Sequence, residues 1–454
     1  MAITAGGKKY RQMLHKSSLF SYSFRCCIQT RFLAELDLNQ GAGAKGRVIM
    51  KPSEEQLLWR DPDALFRFSM EERRYRMKLF WEEPFRIFFP LGLLLGAIGV
   101  ALWPLYFWHL LAAYPSTPHM RLMIEGLMGS FVLGFLGTAG PRLLDAPPLR
   151  AAEVATLILL QLAIAGLHLA RQQLLGDLLF LALLLLFLAI LVRRIRRLQD
   201  LPPPSFLLVL GGFINAIAGI ALLQSQRFWL YQLGSILLNE GFILFPILGV
   251  GAFFFPKLLV AQPAEPADLR IAAAMWKKGA RLAALCLLAL WISFLLEALA
   301  WTRSAALLRG LTSAWYLGIE GGLFTEARGR TFLARCFQLG GVLLVAGLFM
   351  PLLFPDRRVA NLHVVFLGGF SIILFTVSTR VILGHAGASH LFRQRLRFLI
   401  TALAFLLLAM LARVSADFFP VERNSHLIYA ALLWLLASAA WAWALGPRLS
   451  QSED

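Results

Sequence analysis

Residues 174–197 read LLGDLLFLALLLLFLAILVRRIRR. From about 174 to 192 the stretch is apolar almost without interruption, and Arg193, Arg194, Arg196 and Arg197 close it. A helix of about 20 apolar residues crosses the ~30 Å hydrocarbon core of a bilayer, and an arginine cluster stops such a helix at the headgroups. The run lacks the polar–apolar alternation of a barrel wall, so it reads as a membrane-crossing helix.

Working outward, comparable runs lie near 86–110, 120–140, 151–169, 205–223, 229–255, 281–300, 305–323, 333–354, 360–384, 397–417 and 427–446. With the first, they predict an all-α, polytopic membrane bundle of about twelve transmembrane helices over residues 85–447, followed by a short tail at 448–454. The 454 residues are 58% hydrophobic and 15% charged, with a mean hydropathy of +0.67. A soluble domain carries about 25% charged residues, so lipid is the expected solvent for most of this chain. Residues 1–84 form a basic, polar segment without the apolar core of a cleavable leader. It reads as a cytoplasmic tail; the alternative is that translation starts at Met50, since MKPSEEQLLWRDPD resembles an ordinary protein start, which would leave residues 1–49 untranslated.

The formal net charge is +18, but the Lys and Arg fall between apolar runs rather than along one amphipathic face. Topology explains such a charge better than a nucleic-acid partner does. If the N-terminus is cytoplasmic, the loops on its side hold Arg193 to Arg197, Lys257, Arg270, Lys277, Lys278, Arg328, Arg330, Arg393 and Arg395. The opposite loops hold fewer, chiefly Arg171, Arg227, Arg303, Arg357, Arg358 and Arg423, which places both termini in the cytoplasm. PPP at 202–204 and QPAEP at 262–266 mark the clearest turns outside the membrane. Cys26, Cys27, Cys286 and Cys336 form neither a disulfide framework nor a zinc spacing.

Ionisable side chains inside apolar runs are costly in lipid and need a reason. Arg413 and Asp417, four residues apart, read as a structural pair on one helix face. Glu297 and Glu320 lie near span ends and read as interfacial. Glu125 and Glu240 sit deeper, with no partner visible in sequence, as candidates for lining a cavity or carrying protons. Of the eight histidines, His15, His109, His168, His390 and His426 read as tail, span-end or loop residues. His119, His363 and His385 remain. Neutral imidazole ligates haem iron or copper. On the alternating topology His119 and His363 open spans at the same face, whereas His385 lies 22 residues after His363. At 1.5 Å per residue that is about 33 Å, which puts His385 at the opposite face.

Residues 363–387, HVVFLGGFSIILFTVSTRVILGHAG, resemble the signature span of the NnrS family of haem and copper membrane proteins, matching at His363, Gly368, Val377, Thr379, Arg380, Leu383, Gly384, His385 and Gly387. Phe85, Arg86, Phe88 and Phe89 resemble its FRPFF opening. PHMRLMIEGLMGSFVLGFLGTAGP resembles its WHxHEMxxG and GFLxTA stretches, with His119, Met123, Gly126, Gly134, Phe135, Leu136, Thr138 and Ala139 in register. Three departures matter: Arg121 and Leu122 replace a histidine and a glutamate, Pro118 replaces a tryptophan, and Phe253 falls where an arginine is usual.

The resemblance implies non-covalent haem and copper, with His119 and His363 as ligands at one face, His385 as a ligand at the other and Arg380 beside a haem propionate. It also implies a place in the bacterial cytoplasmic (inner) membrane and a role in nitric oxide metabolism, denitrification or resistance to nitrosative stress. Arg121 suggests that one metal site is impaired. Two other readings stand beside it. One is a transporter of a small molecule or ion, motivated by Glu125, Asn215 and Glu240, although no internal repeat is legible. The other is an assembly factor without its own metal. No soluble-enzyme motif and no CxxCH haem attachment is present.

Overall fold

The computed structural model describes Met70 and residues 77–143, 145–195, 202–259, 269–324 and 331–452. The expectations for residues 1–69, with His15, Cys26, Cys27 and the start at Met50, lie outside the described residues, as do Arg196, Arg197, QPAEP at 262–266, Arg328 and Arg330. Every regular element among the described residues is helical. The apolar runs become α1 (Phe85–Phe107), α2 (Ser116–Leu143), α3 (Ala151–Leu169), α4 (Gln173–Ile195), α5 (Phe206–Leu222) and α6 (Phe228–Pro256). They continue as α7 (Leu269–Ala298), α8 (Thr302–Ile319), α9 (Phe332–Leu353), α10 (Arg358–His385), α11 (Arg397–Phe418) and α12 (Arg423–Leu445).

Ten of these are long and apolar enough to cross a membrane; α5 is apolar but shorter, and α8 carries Arg303 and Arg309. The protein is an all-α polytopic membrane bundle. Large apolar side chains such as Leu159, Leu178, Leu185 and Leu288 remain exposed on the outer helices, as they do where lipid replaces water.

Three helices form the centre. The apolar windows of α2, α6 and α10 are 83, 83 and 72% buried within the protein, against 33–39% for α3, α4, α7, α9, α11 and α12. Each central helix contains one stretch of wider π-helical winding, at Leu122–Met128, Leu237–Gly241 and Val364–Ser371. Such bulges disturb the regular i→i−4 ladder and need other partners for the carbonyls they free. Gln161 on α3 donates to the Glu125 carbonyl at 2.6 Å, and the Ser371 hydroxyl donates to the Phe366 carbonyl at 2.8 Å.

The pattern recurs every four helices. α1 packs on α2, α5 on α6 and α9 on α10, while α3 pairs with α4, α7 with α8 and α11 with α12. Contacts of α4 with α5, α8 with α9 and α12 with α1 close the ring. Glycines on the first helix of each set allow the close approach: a Cβ on Gly92, Gly212 or Gly347 would fall 2.9, 2.5 or 2.9 Å from α2, α6 or α10. A three-fold parallel repeat is therefore present where none is legible in the sequence. It resides mainly in helix geometry and packing, with a glycine in each π-helical stretch, Gly126, Gly241 and Gly368, as the matching residue.

Candidate functional site

At the end of α2 and α10 that carries His119 and His363, each imidazole is tied to backbone. His119 Nδ1 lies 2.9 Å from the Gly99 carbonyl of α1, and His363 Nδ1 lies 2.8 Å from the Val359 carbonyl one turn back. A carbonyl only accepts, so Nδ1 of each ring donates its N–H and Nε2 of each neutral ring keeps a free lone pair. Backbone carbonyls that accept from Nδ1 orient metal-ligating histidines in this way. Both rings are half-buried, and Trp103 meets His119 edge-on at 5.8 Å. His119, His363 and Arg413 of α11 lie within electrostatic reach of one another, and Arg413 also pairs with Asp417 at 3.2 Å. The expected Arg413–Asp417 pair is found.

His385 ends α10 at the far side of the bundle. Its Nδ1 lies 2.8 Å from Glu83 Oε1, and Arg142 Nη1 lies 3.1 Å from its Nε2. Glu83 also pairs with Arg142 and Arg86, whose guanidinium in turn reaches the Leu449 and Gln451 carbonyls at 2.5 and 2.7 Å. Burial alone would raise the Glu83 carboxyl, but the His385 hydrogen bond and the charges of His385, Arg86 and Arg142 outweigh it and hold the group below the usual carboxylate range. His385 thus fastens α10 to the entrance of α1 and the exit of α12. Arg142 Nη1, 3.2 Å from Nδ1 and 3.1 Å from Nε2, lies over the face of the His385 ring.

Arg380 lies over the Phe392 ring at 4.5 Å and makes no carboxylate pair among the described residues. With Arg142, His385, Thr138 and Phe254 it lines a cavity of about 300 Å³. Phe135 and Val377 are shared with a narrower, almost wholly apolar cavity of about 90 Å³ between α2, α6 and α10, lined by Phe131, Ile247 and Ile373.

Two ionic clusters occupy the interior. In the first, Glu240 of α6 and Glu297 of α7 share Arg309 of α8 at 2.9 and 2.6 Å, and share Arg358 of α10 at 2.5 and 3.1 Å. Glu297, expected as a lone residue near its span end, is instead held by two arginines from other helices, the half-exposed Arg358 among them. In the second, Glu125 of α2 meets His168 Nε2 of α3 at 2.8 Å, and Arg121 pairs with Asp177 of α4 at 2.8 Å. His168 is fully buried, so its reading as an interfacial residue is corrected: α4 and α2 close over the end of α3.

The profile described as NnrS protein matches residues 79–452. The chain belongs to the NnrS family. No curated protein matches it.

The family match gives the departures a structural setting. Arg121, where the NnrS pattern has a second histidine, is buried and turned toward Asp177, Glu125 and the Asn239 side chain, 3.4 Å away. It is engaged in the second cluster and not offered beside His119. Leu122 is buried within the π-helical stretch, under Gly99, and Phe253 packs edge-on against Phe206 at 5.9 Å. Asp177, Arg309, Arg358 and Glu83 were missed by sequence reasoning. Asp177 was the most accessible of them, as a lone carboxylate inside the run that defines α4.

Proposed function

We propose that this NnrS-family chain binds haem and copper in the bacterial inner membrane, with twelve spans and both termini cytoplasmic, and acts in nitric oxide metabolism or resistance to nitrosative stress. The observation that carries the haem reading is the matched pair of histidines on two central helices, each with Nδ1 committed to a carbonyl and Nε2 free. These donors fit non-covalent haem, for which His119 and His363 are the proposed ligands. Bound haem would supply a redox-active iron able to take diatomic ligands such as nitric oxide.

The chain's own residues have definable tasks. The Gly99 and Val359 carbonyls hold a proton at Nδ1 of each ring, which keeps both imidazoles neutral donors. Arg413 sets a positive charge beside them, suited to an anionic group. The apolar space between α2, α6 and α10 admits small uncharged molecules and disfavours ions. At the opposite end, about 25 Å along α10 from His363, Arg380 gives the wider cavity a cation suited to a carboxylate, while Arg142 there is paired with Glu83. His385 is the proposed metal ligand at this end.

Metal analysis and a reduced-minus-oxidised spectrum of the detergent-purified protein test this reading. Haem bands that shift when nitric oxide is added to the reduced protein support it. A colourless preparation without iron or copper contradicts it and favours transport or assembly.

A further inference from the structure

The two interior clusters differ in charge. Around Glu240 and Glu297, two carboxylates are balanced by Arg309 and Arg358. Around Glu125 and Asp177 there is one arginine, Arg121, for two carboxylates, and the third member is a histidine. With both acids ionised and His168 neutral, the second cluster holds one uncompensated negative charge at sites 0 and 3% exposed. A buried charge of this kind requires a cation, either a proton on the His168 ring or a metal ion.

The hydrogen bonds say where that cation sits. His168 Nδ1 lies 3.0 Å from Gln173 Oε1, an acceptor, so Nδ1 carries the ring proton. Nε2 then presents a bare lone pair, yet Glu125 Oε2 lies 2.8 Å from it and Asp177 Oδ1 lies 4.0 Å away. Two lone pairs do not meet at that distance without a positive centre between them. Asp177 Oδ1 accepts no hydrogen bond although it is buried, and Glu125 Oε1 has only Arg121 Nε facing it at 3.5 Å. One nitrogen and two carboxylate oxygens lie within 4.8 Å of one another. The site is also built for this ring: a Cβ on Gly176 would fall 2.3 Å from His168 Cε1, so only glycine lets the imidazole lie against α4 beside Asp177.

We infer that Glu125, His168 and Asp177 form a binding site for a divalent first-row transition metal, separate from the His119 and His363 pair. Two carboxylates and one imidazole, with no thiolate, suit a borderline ion of the zinc, iron(II), manganese or copper(II) class. Gln173 orients the imidazole, and Arg121 holds Asp177 through Oδ2, leaving Oδ1 for the metal. Asp177 lies in the first turns of α4, beside the turn that carries Arg171, so the ion enters from the His119 end of the bundle.

The test is metal stoichiometry in the full-length, detergent-purified protein after chelation and titration with zinc ion, and separately with copper(II). The site predicts one equivalent bound by the unaltered protein and by a His119→Ala/His363→Ala variant, and its loss in His168→Gln and in Asp177→Asn. Gln173→Ala, which keeps all four charged or ligating groups, weakens binding roughly 10–100-fold. It serves if the ligand variants do not elute as monodisperse protein. Unchanged binding in His168→Gln or Gln173→Ala overturns the inference, as does no binding by the unaltered protein, which would leave a proton alone between His168 and Glu125. Haem content, read on the same samples, reports on His119 and His363 and so fails or holds independently.

Discussion

Arg309 serves two buried carboxylates at once and lies over the Phe294 ring at 4.5 Å, so its side chain is held on three sides. Replacing it with alanine leaves Glu240 and Glu297 with only the half-exposed Arg358, and removing one partner of a buried ion pair costs about 3–5 kcal/mol. Arg309→Ala should lower the thermal unfolding midpoint in detergent, and Arg309→Ala with Glu240→Gln should recover part of the loss. Glu83 gives a pH-dependent counterpart. Its native pKa is depressed, so its contribution to stability is complete above its ordinary value of 4.5 and is lost as pH falls through the lower native value. Acidification from neutral to below pH 4.5 should destabilise the unaltered protein more than Glu83→Gln, measured by unfolding scans across that range.

The same residues show what sequence reading reached. His119 and His363 stood out because few histidines occur and both open apolar runs at one face. Glu125 and Glu240 stood out because charge inside a lipid-crossing helix is rare. Their partners did not, since His168, Asp177, Arg309 and Arg358 lie 43, 52, 69 and 118 positions away in sequence from the carboxylates they accompany. Nothing local marks such a pair. Only the packing of α2 against α3 and α4, and of α6 against α8 and α10, brings them together.

At the level of elements, the apolar runs translated directly into helices because a chain in lipid must satisfy its backbone internally. The π-helical stretches at Leu122–Met128, Leu237–Gly241 and Val364–Ser371 share only a glycine, preceded by Glu125 and Glu240 in the first two, too little to mark them in the sequence. Their effect is on direction, because the wider winding turns the side chains that follow by a part of a turn. Gly212 tests how tightly these bent helices are held. A Cβ there meets Pro246 Cδ at 2.5 Å and the Phe242 carbonyl at 2.9 Å, and neither can swing aside. Gly212→Ala should therefore destabilise by about 1–3 kcal/mol, detected as a lower unfolding midpoint. Gly166→Ala, with nothing within 4 Å of the new methyl group, should be neutral or slightly stabilising in the same assay.

For the whole molecule, three sets of four helices put three bent helices at the centre and lipid-facing helices around them. That arrangement explains why the polar groups cluster: α2, α6 and α10 are the helices whose side chains reach other protein rather than lipid. Alkaline phosphatase fused after position 171 should be active, and fused after position 200 inactive, if the arginine-rich end of α4 is cytoplasmic. The reverse result would invert the orientation without altering the bundle.

The central claim is that His119 and His363 hold haem between two of these central helices. Optical spectra and iron analysis of the purified protein and of His119→Ala/His363→Ala, each shown to be monodisperse, test it most directly. The account predicts a haem spectrum in the unaltered protein and its loss in the double variant. Full haem occupancy in the double variant, or no haem in either protein, would contradict it.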